Sequence, residues 1–209
     1  MGQQLTFIFI NGRPCAGKDT QADLIVEALG SSAVKISTGE IFRGAKANKG
    51  EYAKYHDALE FCVSHVDCGG LIPDKDIVSI VEKVIRDKVE GGITTLVFTG
   101  FPRTIGQLTE IDRLFESDIK HFLSFEVSEE TAKSRAELRI DSDLKKGDVP
   151  RPEDVGDRFI TRQVEYSTKT LPMLKKLEKE GRLTHIDGEP EAEAVFLETS
   201  KCIRRERGF

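Results

Sequence analysis

A chain of 209 residues, 38% of them apolar, is long enough for one α/β domain with a substantial buried core. Its net charge of −5 excludes a general attraction to nucleic-acid backbones or anionic membranes, so any phosphate binding has to be local and geometric. No apolar stretch reaches the roughly 18 to 20 residues that span a bilayer, and the expectation is a cytoplasmic protein.

The first predicted element is a strand at 5–10, "LTFIFI", which runs into "NGRPCAGKDTQ" and a helix over 18–29. Gly12, Gly17 and Lys18 satisfy G-x-x-x-x-G-K between a strand and a helix, the context in which this loop wraps phosphates. Its backbone N–H groups point inward, the helix start adds partial positive charge, and the lysine reaches the outer phosphates. The residue after the lysine is expected to be Ser or Thr for Mg²⁺; here it is Asp19, with Thr20 next. A carboxylate beside phosphates is repulsive unless a cation lies between them.

A second strand is predicted at 34–36, then helices over 39–47, 51–66 and 74–90. In the last of these Ile77, Ile80, Val81, Val84, Ile85 and Val89 share one face, with acids in the first turn and Gly91 after the end, so it reads as scaffold. Strands at 95–99 and 122–127 flank a helix over 105–117. A helix over 128–140 carries Arg135 and Arg139 at i and i+4, on one face and able to address one anion. The polar run "IDSDLKKGDVPRPED" at 140–154 precedes a long helical pattern over 153–180, a strand at 183–186 and a helix over 189–205.

Strand and helix alternate, and four of the strands are apolar without alternation, which implies an α/β fold on a parallel sheet buried on both faces. The helical pair near 39–66 and the polar 140–154 run exceed that minimal pattern and are candidate moving parts. Cys15, Cys62, Cys68 and Cys202 have no C-x-x-C spacing, so reduced thiols are expected rather than a zinc cluster or a disulfide scaffold.

Four more strings carry a resemblance: "STGEIFR" at 37–43, "GGLIPD" at 69–74, "GFPRTIGQ" at 100–107, and "RPED" at 151–154 followed by Arg162. With the glycine-framed loop, their order and spacing over essentially the whole chain resemble adenylate kinase, within the nucleoside monophosphate kinase family. The resemblance implies a three-layer P-loop NTPase fold of one domain, 1–209, with a five-stranded parallel sheet. It also implies an AMP-binding helical insertion at 37–72 and a short lid at 138–151 that lacks a zinc set. The implied activity is reversible transfer of the γ-phosphoryl group of ATP to AMP with Mg²⁺. The absence of a long heptad pattern makes a monomer the default, and charge and hydropathy point away from nucleic-acid and membrane partners.

The resemblance also assigns residues. Lys18, Arg103, Arg135, Arg139, Arg151 and Arg162 match the catalytic cations. Gly12, Cys15, Ala16, Gly17, Lys18, Asp19 and Thr20, with Arg135 and Arg139, match the ATP side. Thr38, Gly39, Arg43, Gly70, Leu71, Ile72, Gly100, Arg103, Gln107, Arg151 and Arg162 match the AMP side. A glutamine amide can both donate to and accept from adenine. UMP/CMP kinases resemble the chain too, but typically carry alanine at the Thr38 position and asparagine near "GFPR".

Three departures stand out. Family members usually place an aspartate that orders Mg²⁺ immediately before "GFPR", where this chain has Thr99, and glycine where it has Asp19. One reading makes Asp19 the replacement partner of Mg²⁺; the other makes it a solvated charge at the helix start. Cys15 replaces a family glycine, so the loop either avoids a positive φ there or is strained. Glu153 stands where an aspartate is usual. A nucleotide-binding sensor without turnover is the alternative class of function, supported by Thr99 and opposed by the complete arginine set.

Overall fold

The computed structural model describes residues 4–207, with side chains to residue 204. Five strands form one parallel sheet: β1 (Thr6–Gly12), β2 (Ala33–Ser37), β3 (Thr95–Thr99), β4 (Ile119–Glu126) and β5 (Leu183–Asp187). Their order is β2-β3-β1-β4-β5, with Ile10 opposite Thr99 and Gly12 opposite Phe125. This is the α/β core expected of a P-loop kinase. Because all strands point the same way, Gly12, Ser37 and Thr99 end on one rim, the side on which open α/β sheets bind ligands.

Ten helices accompany the strands among the described residues: α1 (Lys18–Leu29), α2 (Thr38–Lys46), α3 (His56–Leu59), α4 (Val63–Asp67), α5 (Asp74–Glu90), α6 (Ile105–Leu114), α7 (Glu129–Lys146), α8 (Asp157–Glu165), α9 (Leu171–Lys179) and α10 (Ala192–Arg207). No helix among the described residues is long and apolar enough to cross a membrane.

Alternation along β1 explains the layers. Phe7 and Phe9 face one side and stack on each other, and Phe9 stacks with Phe98 and Phe122 at ring-centroid distances of 4.9 and 4.8 Å. That side packs against Val81, Val84 and Ile85 of α5, Leu108 of α6 and Met173 of α9. Ile8 and Ile10 face the other side and meet Ala22 and Ile25 of α1 and Val195 of α10. A strand buried on both faces needs no polar alternation, which is why "TFIFI" is continuously apolar.

Several predicted boundaries shift by a few residues, and three helical patterns change more. The helix expected over 128–140 continues to Lys146, where two lysines and Gly147 at φ 78° close it, so the segment 138–151 is largely helical. The pattern over 51–66 begins as a 3₁₀ segment at Gly50–Tyr55 and continues as α3 and α4 joined by a 3₁₀ turn at Glu60–Cys62, with Tyr55, Leu59 and Cys62 buried. The pattern over 153–180 breaks at Gly156, at φ 57°, and widens into a π-turn at Tyr166–Thr170 before α9. Pro172, in the first turn of α9, has no N–H to return to the preceding turn, which favours such widening.

Candidate active site

The loop between β1 and α1 owes its shape to its glycines. Gly12 has φ 138°, and a Cβ there would lie 2.4 Å from the Phe125 carbonyl oxygen of the neighbouring strand. Gly17, at φ 81°, caps α1. Cys15 takes φ 64°, so of its two expected outcomes the strained one is realised; a left-handed non-glycine residue costs roughly 1–2 kcal/mol. Its Sγ accepts a hydrogen bond from Arg139 Nη2 at 3.0 Å.

Lys18 folds back over the loop and donates to the carbonyls of Gly12 and Arg13 at 3.0 and 2.6 Å. Burial, with the Arg103 and Arg162 guanidiniums beside it, pushes its pKa down to about 7. Asp19 does not point to solvent: Thr99 Oγ1 donates to its Oδ1 at 2.6 Å, bridging the start of α1 and the end of β3. Burial raises the Asp19 pKa, but the Thr99 hydrogen bond and the charges of Lys18, Lys35 and Arg151 outweigh it and hold the group below its ordinary value. Among the described residues Asp19 has no ion-pair partner within 4.0 Å.

On the opposite wall, α2 starts at the rim with Ser37 accepting from the Glu40 N–H at 3.4 Å. Thr38 Oγ1 donates to the Gly100 carbonyl at 2.9 Å, and Arg103 Nε donates to the same carbonyl at 2.8 Å. Burial and Arg162 lower the Arg103 pKa to about 10. Arg43 Nη1 pairs with Glu153 Oε1 at 3.0 Å, so the longer acid of "RPED" reaches α2. Asp154, its side chain 1% exposed, pairs with Arg139 and Arg162, each at 2.7 Å.

Two clefts open along the rim. One is lined by Thr38, Gly39, Arg43, Gly70, Leu71, Ile72, Gly100, Arg103, Gln107 and Arg162. The other is lined by Cys15, Gly17, Lys18, Asp19, Thr20, Thr99, Arg139 and Arg151. Arg43, Arg103, Glu153 and Arg162 border both. Gly12 shapes the loop beside a smaller recess with Lys18, and Ala16 is buried beneath it.

Arg135 stands apart from these clefts: its Nη2 donates to the Glu189 carbonyl at 3.1 Å, although Nη1 comes within 4.0 Å of where a Gly17 Cβ would be. In this arrangement the two guanidiniums have different partners, Arg139 turning to Asp154 and Cys15. Asp74 was missed in the sequence because an acid in the first turn of a helix looks like a cap; it binds Gln107 instead. The bridge from Glu153 to Arg43 joins positions 110 apart, beyond any local signal.

The donor set fits Mg²⁺, which is bound through one or two carboxylates together with substrate phosphates and water. Asp19 would supply the carboxylate, which the Thr99 hydroxyl holds by its hydrogen bond. Among the described residues no group of three or more His, Cys, Asp or Glu is arranged to hold a metal ion by itself.

A protein-family model described as adenylate kinase matches residues 10–182. The chain is 29% identical over 204 residues to the adenylate kinase of Rhizobium meliloti (strain 1021), covering 95% of this chain and 100% of that one. It is 30% identical over 199 residues to the adenylate kinase of Caulobacter vibrioides (strain NA1000 / CB15N), covering 94% and 96%. It is 30% identical over 186 residues to the adenylate kinase of Bartonella tribocorum (strain CIP 105476 / IBS 506), covering 87% and 91%.

Proposed function

The chain belongs to the adenylate kinase family, and from that premise we propose that it transfers the γ-phosphoryl group of ATP to AMP, reversibly, giving two ADP. The observation that carries the reading is the wall shared by the two clefts, where Arg43, Arg103 and Arg162 stand between the phosphate loop and the Thr38–Gln107 recess. Phosphoryl transfer asks little covalent chemistry of a protein and much positioning of two anions in line. A boundary of fixed guanidiniums suits that demand.

On this reading the loop 12–18 cradles the ATP phosphates with its N–H groups, and Lys18 turns from the loop carbonyls to the outer phosphates. Arg139 and Arg151 close on the same phosphates, and Arg43 and Arg103 hold the phosphate of AMP. Arg162 reaches both. Thr38 and Gln107 meet the acceptor base, with the backbone of Gly70, Leu71 and Ile72 beside it. The segment 138–151 covers the site and keeps water from the γ-phosphate.

Asp19 would hold Mg²⁺ in place of a carboxylate at the end of β3, directly or through water. Bound there with ATP, the metal would supply charge neutralisation at the phosphate oxygens. The Thr99 hydroxyl fixes the carboxylate on the strand side of the cleft.

The test is a coupled assay of ADP formation from ATP with AMP, dAMP, UMP and CMP in turn. The reading expects AMP to give the highest kcat/KM and little ATP hydrolysis without an acceptor. Preference for UMP or CMP would make the protein a pyrimidine nucleotide kinase. Tight nucleotide binding with no turnover at any Mg²⁺ concentration is the sensor outcome, which the hydroxyl at Thr99 favours.

A further inference from the structure

Gln107 is held at both ends of its side-chain amide. Its Oε1 accepts from the backbone N–H of Arg103 at 2.7 Å, and its Nε2 donates to Asp74 Oδ1 at 2.8 Å. The other carboxylate oxygen, Oδ2, accepts from Thr104 Oγ1 at 2.7 Å. Thr104 Oγ1 in turn accepts from the Gln107 N–H at 3.1 Å, capping α6. Three side chains thus close a ring between the first turns of α5 and α6. The ring is tight: a Cβ on Gly106 would lie 2.5 Å from Asp74 Oδ2, so glycine lets the carboxylate approach.

A side-chain amide can be turned end for end unless its partners distinguish the ends, and here they do. A carboxylate only accepts, and a backbone N–H only donates. Turning Gln107 over would set oxygen against carboxylate and NH₂ against N–H, in a residue only 3% exposed to water. With those two bonds made, one N–H and one oxygen lone pair of the amide remain for the cleft that Gln107 lines.

We propose that Asp74 is a positioning residue for acceptor selectivity, holding the Gln107 amide in the one orientation that pairs with a 6-aminopurine and mispairs with a 6-oxopurine. The inference rests on the reading of this cleft as the AMP site. Adenine presents an amino donor beside a ring-nitrogen acceptor. Hypoxanthine presents a carbonyl acceptor beside a ring N–H, the same places with the roles exchanged. An amide fixed in one orientation satisfies the first and meets the second donor to donor and acceptor to acceptor. A free amide would serve both by turning over, and the acid that prevents this touches no substrate.

The experiment compares AMP and IMP as acceptors at saturating ATP in the wild type, Asp74→Asn, Asp74→Ala and Asp76→Asn. The wild type is expected to favour AMP in kcat/KM by about a hundredfold or more. Asp74→Asn, which keeps the shape but can present either end of its own amide, is expected to shrink that ratio by about tenfold. The change should fall on the acceptor KM and leave the KM for ATP alone, with Asp74→Ala moving the same way. Asp76→Asn removes a charge from the same helical turn without touching Gln107, so its ratio should match the wild type. An unchanged ratio in Asp74→Asn, or an equal loss for AMP and IMP, overturns the inference and leaves the AMP reading standing. A wild type that uses AMP no better than IMP overturns the inference, and one that prefers UMP or CMP in the acceptor assay overturns the AMP reading with it.

Discussion

The carboxylate of Asp19 rests against Thr99 because α1 begins at the rim of the sheet, beside the end of β3, and a first-turn acid is favoured by the helix dipole. The pair was legible in sequence only as two coincident oddities, 80 positions apart, and the bond between them is a tertiary fact. Asp19→Gly should raise the Mg²⁺ concentration for half-maximal rate about tenfold or more and weaken Mn²⁺ binding to the ATP complex, read by electron paramagnetic resonance; adding Thr99→Asp should recover part of both. Unchanged metal dependence in the single variant would remove Asp19 from the metal site. Lys18 makes a separate prediction from its pKa near 7. Phosphate favours the charged ammonium, so above pH 7 ATP binding must take up a proton and affinity falls as pH rises; below pH 7 the lysine is already charged and affinity levels off. Equilibrium titration should show roughly 25-fold weaker ATP binding at pH 8.5 than at pH 6.5, and a flat profile would contradict it. Cys15 was readable as a departure, and the structure decides between its alternatives: the positive φ is kept and the thiol meets Arg139.

Among the elements, the strands were the most legible, since a continuous apolar run has few ways to satisfy itself except between two helical layers. Helix ends were less so. Nothing local in "IDSDLKK" opposes a helix once α7 is under way, and its polarity, which suggested a mobile cover, is equally that of a solvated helix. Asp154 shows how the elements around the site are tied: from the 3₁₀ turn at Pro152–Asp154 it pairs with Arg139 of α7 and Arg162 of α8. Removing one member of a buried ion pair costs about 3 kcal/mol because it strands the partners' charge. Asp154→Ala should therefore lower the thermal midpoint by roughly 6 to 12 °C, measured by calorimetry, and slow turnover by freeing both arginines. A midpoint within a degree of the wild type would show that the two arginines hold their places without it.

Across the whole molecule, the net charge of −5 conceals a rim where Lys18, Arg43, Arg103, Arg139, Arg151 and Arg162 gather, and only the parallel sheet explains how positions so far apart in the chain meet there. Motif order predicted most of that gathering because the loop, "STGEIFR" and "GFPRTIGQ" follow strands that end on the same edge. Arg135, whose spacing from Arg139 suggests a shared anion, meets the Glu189 carbonyl in this arrangement. The two clefts with their common wall make a reversible exchange between two nucleotides the central claim, and ADP alone tests it most directly. Given ADP and Mg²⁺ as sole substrates, the protein should produce ATP and AMP in equal amounts, quantified by anion-exchange chromatography. ADP left unchanged by protein shown to be folded, or lost to AMP and free phosphate without ATP, would contradict the account.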